Sequence, residues 1–136
     1  MKIRTAKKKD LVECEKISKV SELLIGTKKY PDKKYLNEFL GPLFIIAEDK
    51  AKIVGYILGE KEKAKVISLN LLVVDRRNMG KGIGKLLLNE FLKRAKKLGF
   101  KDLYTFVPRW NEKTMEFYRK NGFYEMKNYA YFFKEI

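Results

Sequence analysis

The strongest constraint on this chain is a run of three segments between residues 65 and 107. Lys65 to Val74 reads KVISLNLLVV, a leucine-rich and β-branched stretch of strand character. From Ile83 onward, Leu86, Leu87, Phe91, Leu92, Ala95 and Leu98 recur at spacings of three and four. Lys85, Glu90, Lys93, Arg94 and Lys97 fill the other face, which predicts an amphipathic helix ended by Gly99. DLYTFV, residues 102–107, reads as a second strand. A helix of this length between two strands implies a parallel pair joined by a right-handed crossover. Between the first strand and the helix stands DRRNMGKGIG, with glycines at 80, 82 and 84.

The flanking sequence supplies the rest of a sheet. Lys2 to Thr5 is a short opening strand. Asp10 stands three residues before Glu13 and ahead of Leu11, Cys14, Ile17 and Leu24, the pattern of a capping box that opens an amphipathic helix. Pro31 and Asp32 start a shorter helix through Tyr35, Leu36, Phe39 and Leu40, ended by Gly41-Pro42. LFIIAE, KIVGYILGE and KVISLNLLVV are separated by turns of a few polar residues, the spacing of an antiparallel meander. Asn111 caps a further helix carrying Met115, Phe117 and Tyr118, closed by Asn121-Gly122, and FYEM with YAYFFKEI predicts a final aromatic hairpin. No repeat, low-complexity tract or linker divides the 136 residues, so a single domain over 1–136 is expected.

Strand, glycine-rich turn, helix is the order in which free backbone N–H groups and a positive helix end converge on an anion. Spacing narrows the ligand. A Walker loop requires Ser or Thr after GK, and Gly84-Lys85 is followed by Leu86. A dinucleotide fingerprint requires GxGxxG, whereas these glycines run GxGxG. The alternative is a tight turn needing positive backbone angles, for which three alternating glycines are more than required.

VVDRRNMGKGIGKLL, followed about 30 residues later by NEKTMEFYRKNGF, resembles the GNAT superfamily of acetyl-CoA-dependent N-acetyltransferases. The family pattern Q/R-x-x-G-x-G/A falls on Met79-Gly80-Lys81-Gly82-Ile83-Gly84, with Met79 in place of the usual Gln or Arg. The pattern N-x(6)-Y-x(3)-GF falls on Asn111, Tyr118, Gly122 and Phe123. The resemblance implies a mixed α/β (α+β) fold: a mostly antiparallel central sheet with a splayed parallel pair, flanked by helices on both faces.

The resemblance also implies a site. Leu72, Val73 and Val74 would offer backbone groups to the pantetheine arm of acetyl-CoA, lying in the splay like an added strand. Met79, Gly80, Lys81, Gly82, Ile83, Gly84 and Lys85 would hold the pyrophosphate, mainly through main-chain N–H groups. Asn111 would bond the pantetheine near its reactive end, or serve as a plain helix cap. Tyr118 would place its phenol near the thioester sulfur as a general acid, or pack as a core tyrosine. Amine attack on a thioester leaves a thiolate, and a neutral phenol with a reference pKa near ~10 donates to it at neutral pH. The strand before the glycine loop carries Ser68 and Asn70 but no carboxylate, so Glu60, Tyr30 and Tyr129 stand as candidate bases beside a water relay. Arg76 and Arg77 belong either to a solvated loop or to the cofactor phosphates.

Composition decides what chemistry is open. Histidine is absent and Cys14 is the one cysteine, which excludes imidazole-based nucleophile systems, zinc sites and an intramolecular disulfide, so no metal is expected and Cys14 reads as a packing residue. No apolar run approaches a membrane span, and the chain reads as cytoplasmic with no membrane partner. The expected partner is an amine-bearing acceptor: a protein N-terminus, a lysine or a small amine. With 31 Lys and Arg against 17 Asp and Glu the net charge is +14, read either as compositional habit or as affinity for polyanions. The charge keeps a second class open, a CoA-binding or RNA- or ribosome-associated module without turnover, and the aromatic hairpin invites homodimer pairing.

Overall fold

The computed structural model describes residues 1–20 and 29–136. Strand β1 is Lys2–Thr5, helix α1 Leu11–Ile17, α2 Lys33–Asn37, β2 Phe44–Asp49, β3 Lys52–Lys63, β4 Val66–Val74, α3 Ile83–Lys97, β5 Asp102–Tyr104 and α4 Glu112–Lys120. The strands form one sheet in the order β1-β2-β3-β4-β5. The first four pair antiparallel and β4 pairs β5 in parallel, the mixed arrangement expected from a meander followed by a crossover helix.

Alternation along the strands divides the interior in two. Phe44 and Ile46, Tyr56 and Leu58, Leu71 and Val73 meet Leu11 and Cys14 of α1 and Leu36 of α2. Ile45 and Ala47, Ile57, Ile67 and Leu69 meet Ile83, Leu87, Phe91 and Ala95 of α3 and Tyr118 of α4. Helices therefore cover both faces. Two glycines of β3 let α3 lie close. A Cβ at Gly55 would stand 2.9 Å from the Val73 carbonyl and 3.2 Å from Ile83, and one at Gly59 would run into the Ser68 carbonyl and the Phe91 ring at 2.7 Å. Arg94 fixes the far end of α3 by donating to Thr5 Oγ1 at 2.7 Å and to the Pro42 carbonyl at 3.0 Å.

Three expectations are corrected. Asp10 does not cap α1 through its side chain; it is 5% exposed, takes a two-pronged contact from the Arg4 guanidinium at 2.8 and 2.9 Å, and accepts the Lys7 N–H at 2.7 Å. The fork-shaped guanidinium gives the carboxylate two charge-assisted bonds at once, where a single backbone N–H of the cap gives one. Leu24, placed on the same helix by periodicity, lies outside the described residues. β5 stops at Tyr104 rather than continuing to Val107. The closing hairpin is not formed, since no strand occurs from residue 123 to 136 and Tyr124, Tyr129, Tyr131 and Phe132 are exposed. A two-stranded hairpin is marginal by itself, and the edge strand β5 offers it only three residues to pair with.

Candidate active site

The site is built where β4 and β5 part. Their ladder runs Val66↔Asp102, Ile67↔Leu103, Ser68↔Tyr104 and then ends, although β4 continues to Val74. The cause lies on the other side of β4. Pairing with β3 passes from Gly59↔Leu69 to Leu58↔Leu71, leaving Asn70 as a bulge, and a bulge bends and twists its strand. β4 therefore swings away from β5, and the gap opens immediately past the Ser68–Tyr104 rung.

Register decides which β4 groups face that gap. The Asp75 N–H donates to the Val54 carbonyl at 2.9 Å, so by antiparallel alternation Val73 also turns its polar groups to β3, opposite Tyr56. Leu72 and Val74 turn theirs toward the gap. Of the three residues expected to offer main-chain bonds, two have them available and one does not.

At the wide end, Gly80 and Gly82 adopt left-handed angles, φ +79 and +80, and Gly82 is the N-cap of α3. No protein atom lies within 4 Å of where a side chain would begin at either. The first bond of α3 is Leu86 N–H to the Gly82 carbonyl at 3.1 Å, and no side chain caps the helix. The N–H groups of Ile83, Gly84 and Lys85 thus precede the helical ladder and point out of the helix start. Met79 is exposed, Lys81 Nζ lies 3.3 Å from Asn78 Oδ1, and Arg77 is 3.8 Å from Asp75. This arrangement leaves main-chain N–H groups open at the positive end of α3.

At the closed end, Thr105 Oγ1 donates to the Leu69 carbonyl at 2.9 Å, bridging the two strands just beyond their last rung. Tyr118 is 7% exposed, packed against Phe117 and Phe123 with ring centroids 5.3 and 5.0 Å away. Phe123 is brought there by Gly122 at φ +87 and by its own N–H on the Tyr118 carbonyl at 3.0 Å. Burial pushes the phenol up to about 12, opposed in part by the neighbouring Thr105 side chain. Asn111 caps α4, accepting the Thr114 N–H at 3.2 Å through Oδ1. Sequence reading placed Asn111 and Tyr118 but missed Thr105, whose only signal was a hydroxyl inside a strand.

The opposite face of the same vertex carries a polar cluster. Ser68 Oγ donates to Asn70 Oδ1 at 2.8 Å, and Tyr104 donates to Glu62 Oε2 at 3.3 Å. Burial above all, with the nearby Glu60 charge, holds the Tyr35 phenol above the ordinary range, and the Asn70 side chain acts against this. Glu60 sits opposite Ser68. Neither Glu60 nor Glu62 has an ion-pair partner among the described residues. Tyr129 lies in the exposed tail and Tyr30 beside Glu15 and Lys19, so of the candidate bases only Glu60 stands on the sheet at the vertex. Cys14 is fully buried, its thiol pushed up to about 12 by burial, which suits packing.

Main-chain N–H groups at the start of α3, the parting of β4 from β5 and the buried Tyr118 lie along one side of the sheet. The sequence model of the acetyltransferase (GNAT) family matches residues 11–123, and the chain belongs to that family. An uncharacterized N-acetyltransferase of Methanocaldococcus jannaschii is 32% identical over 88 residues, 60% of this chain and 39% of that protein, so the chain spans less than half of that relative. The fold matches Ard1 from Thermoplasma volcanium with a TM-score of 0.81 at 23% identity, covering 90% of this chain and 82% of that one. It also matches the PaiA N-acetyltransferase of Thermoplasma acidophilum, solved in complex with coenzyme A, with a TM-score of 0.81 at 24% identity, covering 95% and 92%. Among the described residues no helix is long and apolar enough to cross a membrane, and no group of side chains is suited to hold a metal ion.

Proposed function

We propose that this protein is an N-acetyltransferase, a single domain over residues 1–136 acting in the cytoplasm, that moves the acetyl group of acetyl-CoA directly to a primary amine. The reading is carried by one observation: the β4–β5 ladder ends at Ser68–Tyr104 while β4 runs on to Val74 and toward an α3 start that no side chain caps.

Acetyl-CoA supplies the thioester, whose C–S bond breaks as the acceptor nitrogen bonds to the carbonyl carbon. The loop from Met79 to Lys85 binds the pyrophosphate through N–H groups at the positive end of α3. Leu72 and Val74 pair with the pantetheine arm as a neighbouring strand would, and Val73 holds that stretch to β3. Asn111 offers its amide nitrogen to the arm while its oxygen stays on Thr114. Tyr118, neutral at physiological pH, donates to the sulfur as charge builds there, and the proton released by the acceptor nitrogen makes up the balance.

The acceptor approaches from the other face, where Glu60 and Glu62 stand beside the rings of Tyr35 and Tyr104. Unpaired carboxylates and ring faces attract an ammonium group, and Glu60 is placed to take its proton. This favours a cationic acceptor, a lysine, a peptide N-terminus or a small amine, although the chain as a whole is basic.

A screen of peptides and small amines that follows thiol release from acetyl-CoA tests the activity. Tyr118→Phe is expected to keep coenzyme A affinity and to slow turnover by about 10²-fold. A wild-type rate in that variant refutes the acid role. Coenzyme A binding without turnover on any amine leaves the non-catalytic CoA-binding module as the function, and no binding at all removes both.

A further inference from the structure

The sheet face proposed for the acceptor carries a row of exposed rings that the reaction as described does not use. Tyr104 and Phe106 meet edge to face with centroids 5.6 Å apart, and Phe106 meets Tyr131 at 5.1 Å. Phe106 and Tyr131 are each 69% exposed. Exposed rings scattered singly need no explanation, but three in a row of contacts form a continuous apolar strip, and the water along it is released when something covers it.

Position ties the strip to the gap. Tyr104 pairs with Ser68 at the last β4–β5 rung. Ile67 and Leu69, on either side of Ser68, pack on α3, so alternation turns Ser68 and Tyr104 to the other face, the one covered by α1 and α2. Tyr104 donates to Glu62 Oε2 at 3.3 Å, which sets a carboxylate without an ion-pair partner among the described residues at the inner end of the row. From there the rings lead outward to the tail, which Arg109 ties to the loop after β5 through Glu125 at 2.7 Å. The order along the face is carboxylate first, then apolar surface.

That order selects an occupant. An ammonium at Glu62 and apolar groups over the rings require an amine joined to an apolar body. A small ring-bearing amine has one ring's worth of apolar surface to offer a row of three, and a lysine side chain has only its methylene stem. Ring-to-ring steps of 5.6 and 5.1 Å match an extended chain, which advances ~3.3 Å per residue, over about three residues. We propose that Tyr104, Phe106 and Tyr131 form a specificity subsite for a peptide acceptor, whose N-terminal ammonium stands at Glu62 and whose second and third residues are apolar and lie on the rings. The proposal rests on the acetyl-transfer reading and narrows its acceptor.

Two tetrapeptides with free N-termini, identical except for leucine and phenylalanine or serine and asparagine at positions two and three, test it on the full chain by thiol release from acetyl-CoA. The apolar peptide is expected to have a kcat/KM about tenfold higher, the scale of partly burying two large side chains. Phe106→Ser is expected to bring that ratio to within about twofold of one, while Phe106→Tyr, which keeps the ring, preserves it. Coenzyme A affinity and Tm report that the variants are folded; should Phe106→Ser fail to fold, Tyr131→Ser in the tail decides in the same way. Equal kcat/KM for the two peptides in the wild type, or a preference that persists in Phe106→Ser, overturns the proposal. Phenethylamine reacting as well as the apolar peptide overturns it too, since the acceptor is then a small aromatic amine. So does a dimer in sedimentation that Phe106→Ser dissociates while the peptide preference stays intact, since the strip then joins two copies of the chain. Should no peptide or amine release thiol, the acetyl-transfer reading fails by itself. Fluorescence anisotropy of the same peptides carrying a C-terminal dye, with coenzyme A present, then decides on the strip: tighter binding of the apolar peptide by wild type but not by Phe106→Ser upholds it as a peptide site, and equal binding removes it.

Discussion

Replacing Gly82 by Glu puts a carboxylate where the pyrophosphate is proposed to sit, and its two consequences separate cleanly. In the free protein, φ +80 at this N-cap costs a non-glycine residue about 1–2 kcal/mol. No steric term adds to that, because nothing lies within 4 Å of the new Cβ. A carboxylate at the start of α3 recovers about 0.3–1 kcal/mol from the helix dipole, so the net loss is about 1 kcal/mol and Tm falls by only a few degrees. Coenzyme A binding meets a larger penalty. One negative charge about 5 Å from another costs about 1 kcal/mol in water and about 3 kcal/mol at an effective dielectric constant near ~20. The informative comparison is with Gly82→Gln, which has the same size and strain but no charge. Titration calorimetry with coenzyme A is expected to show G82E binding about fivefold to a few hundredfold more weakly than G82Q. The difference should shrink as salt is raised, since this part alone is screened. Equal affinities for the two variants at low salt would mean that the phosphates lie elsewhere, and the main-chain cradle would not be the binding site.

Three further outcomes follow from the packing and the ionisations. Gly59→Ala drives a methyl into the Ser68 carbonyl and the Phe91 ring, so thermal denaturation is expected to show a loss of about 1–3 kcal/mol, and a wild-type Tm would refute the close seating of α3. The Arg4 guanidinium holds the Asp10 carboxyl below its ordinary 3.8, so its stabilisation is present above that value and is lost as pH falls through the lower, folded value; Asp10→Asn should cost about 2 kcal/mol at neutral pH and flatten that acid limb in urea unfolding. Cys14 and Tyr118 are acids kept neutral in the fold, each pushed up to about 12 from ordinary values of 9.0 and 10.0, so the unfolded chain gives up these protons first. Stability is expected to fall as pH rises from about 9 toward 12, and the fall above pH 10 should be shallower in Tyr118→Phe; identical slopes would contradict the buried phenol.

Local spacing alone determined much of this protein. Periodicity placed α3 from Ile83 and the three meander strands, because a two-sided or one-sided hydrophobic pattern is written residue by residue. Glycine alternation marked the turn that starts α3, since a left-handed N-cap is a local property, while Asn111 and Tyr118 entered as candidates through the family resemblance. Asp10 marks the limit of such reasoning: the cap pattern was present, but Arg4, brought alongside by folding, claimed the carboxylate. The aromatic tail marks another, since its strand-like alternation had only the three-residue edge strand β5 to pair with. What only the tertiary structure decided were the relations across strands. The bulge at Asn70 opens the gap, and register turns Leu72 and Val74 toward it while Val73 faces β3. Packing joins Thr105 to Leu69 and gathers Glu60, Glu62, Tyr35 and Tyr104 on the opposite face. Each of these depends on which residue of one segment lies beside which residue of another, and that pairing is fixed by burial of both sheet faces at once rather than by any spacing along the chain.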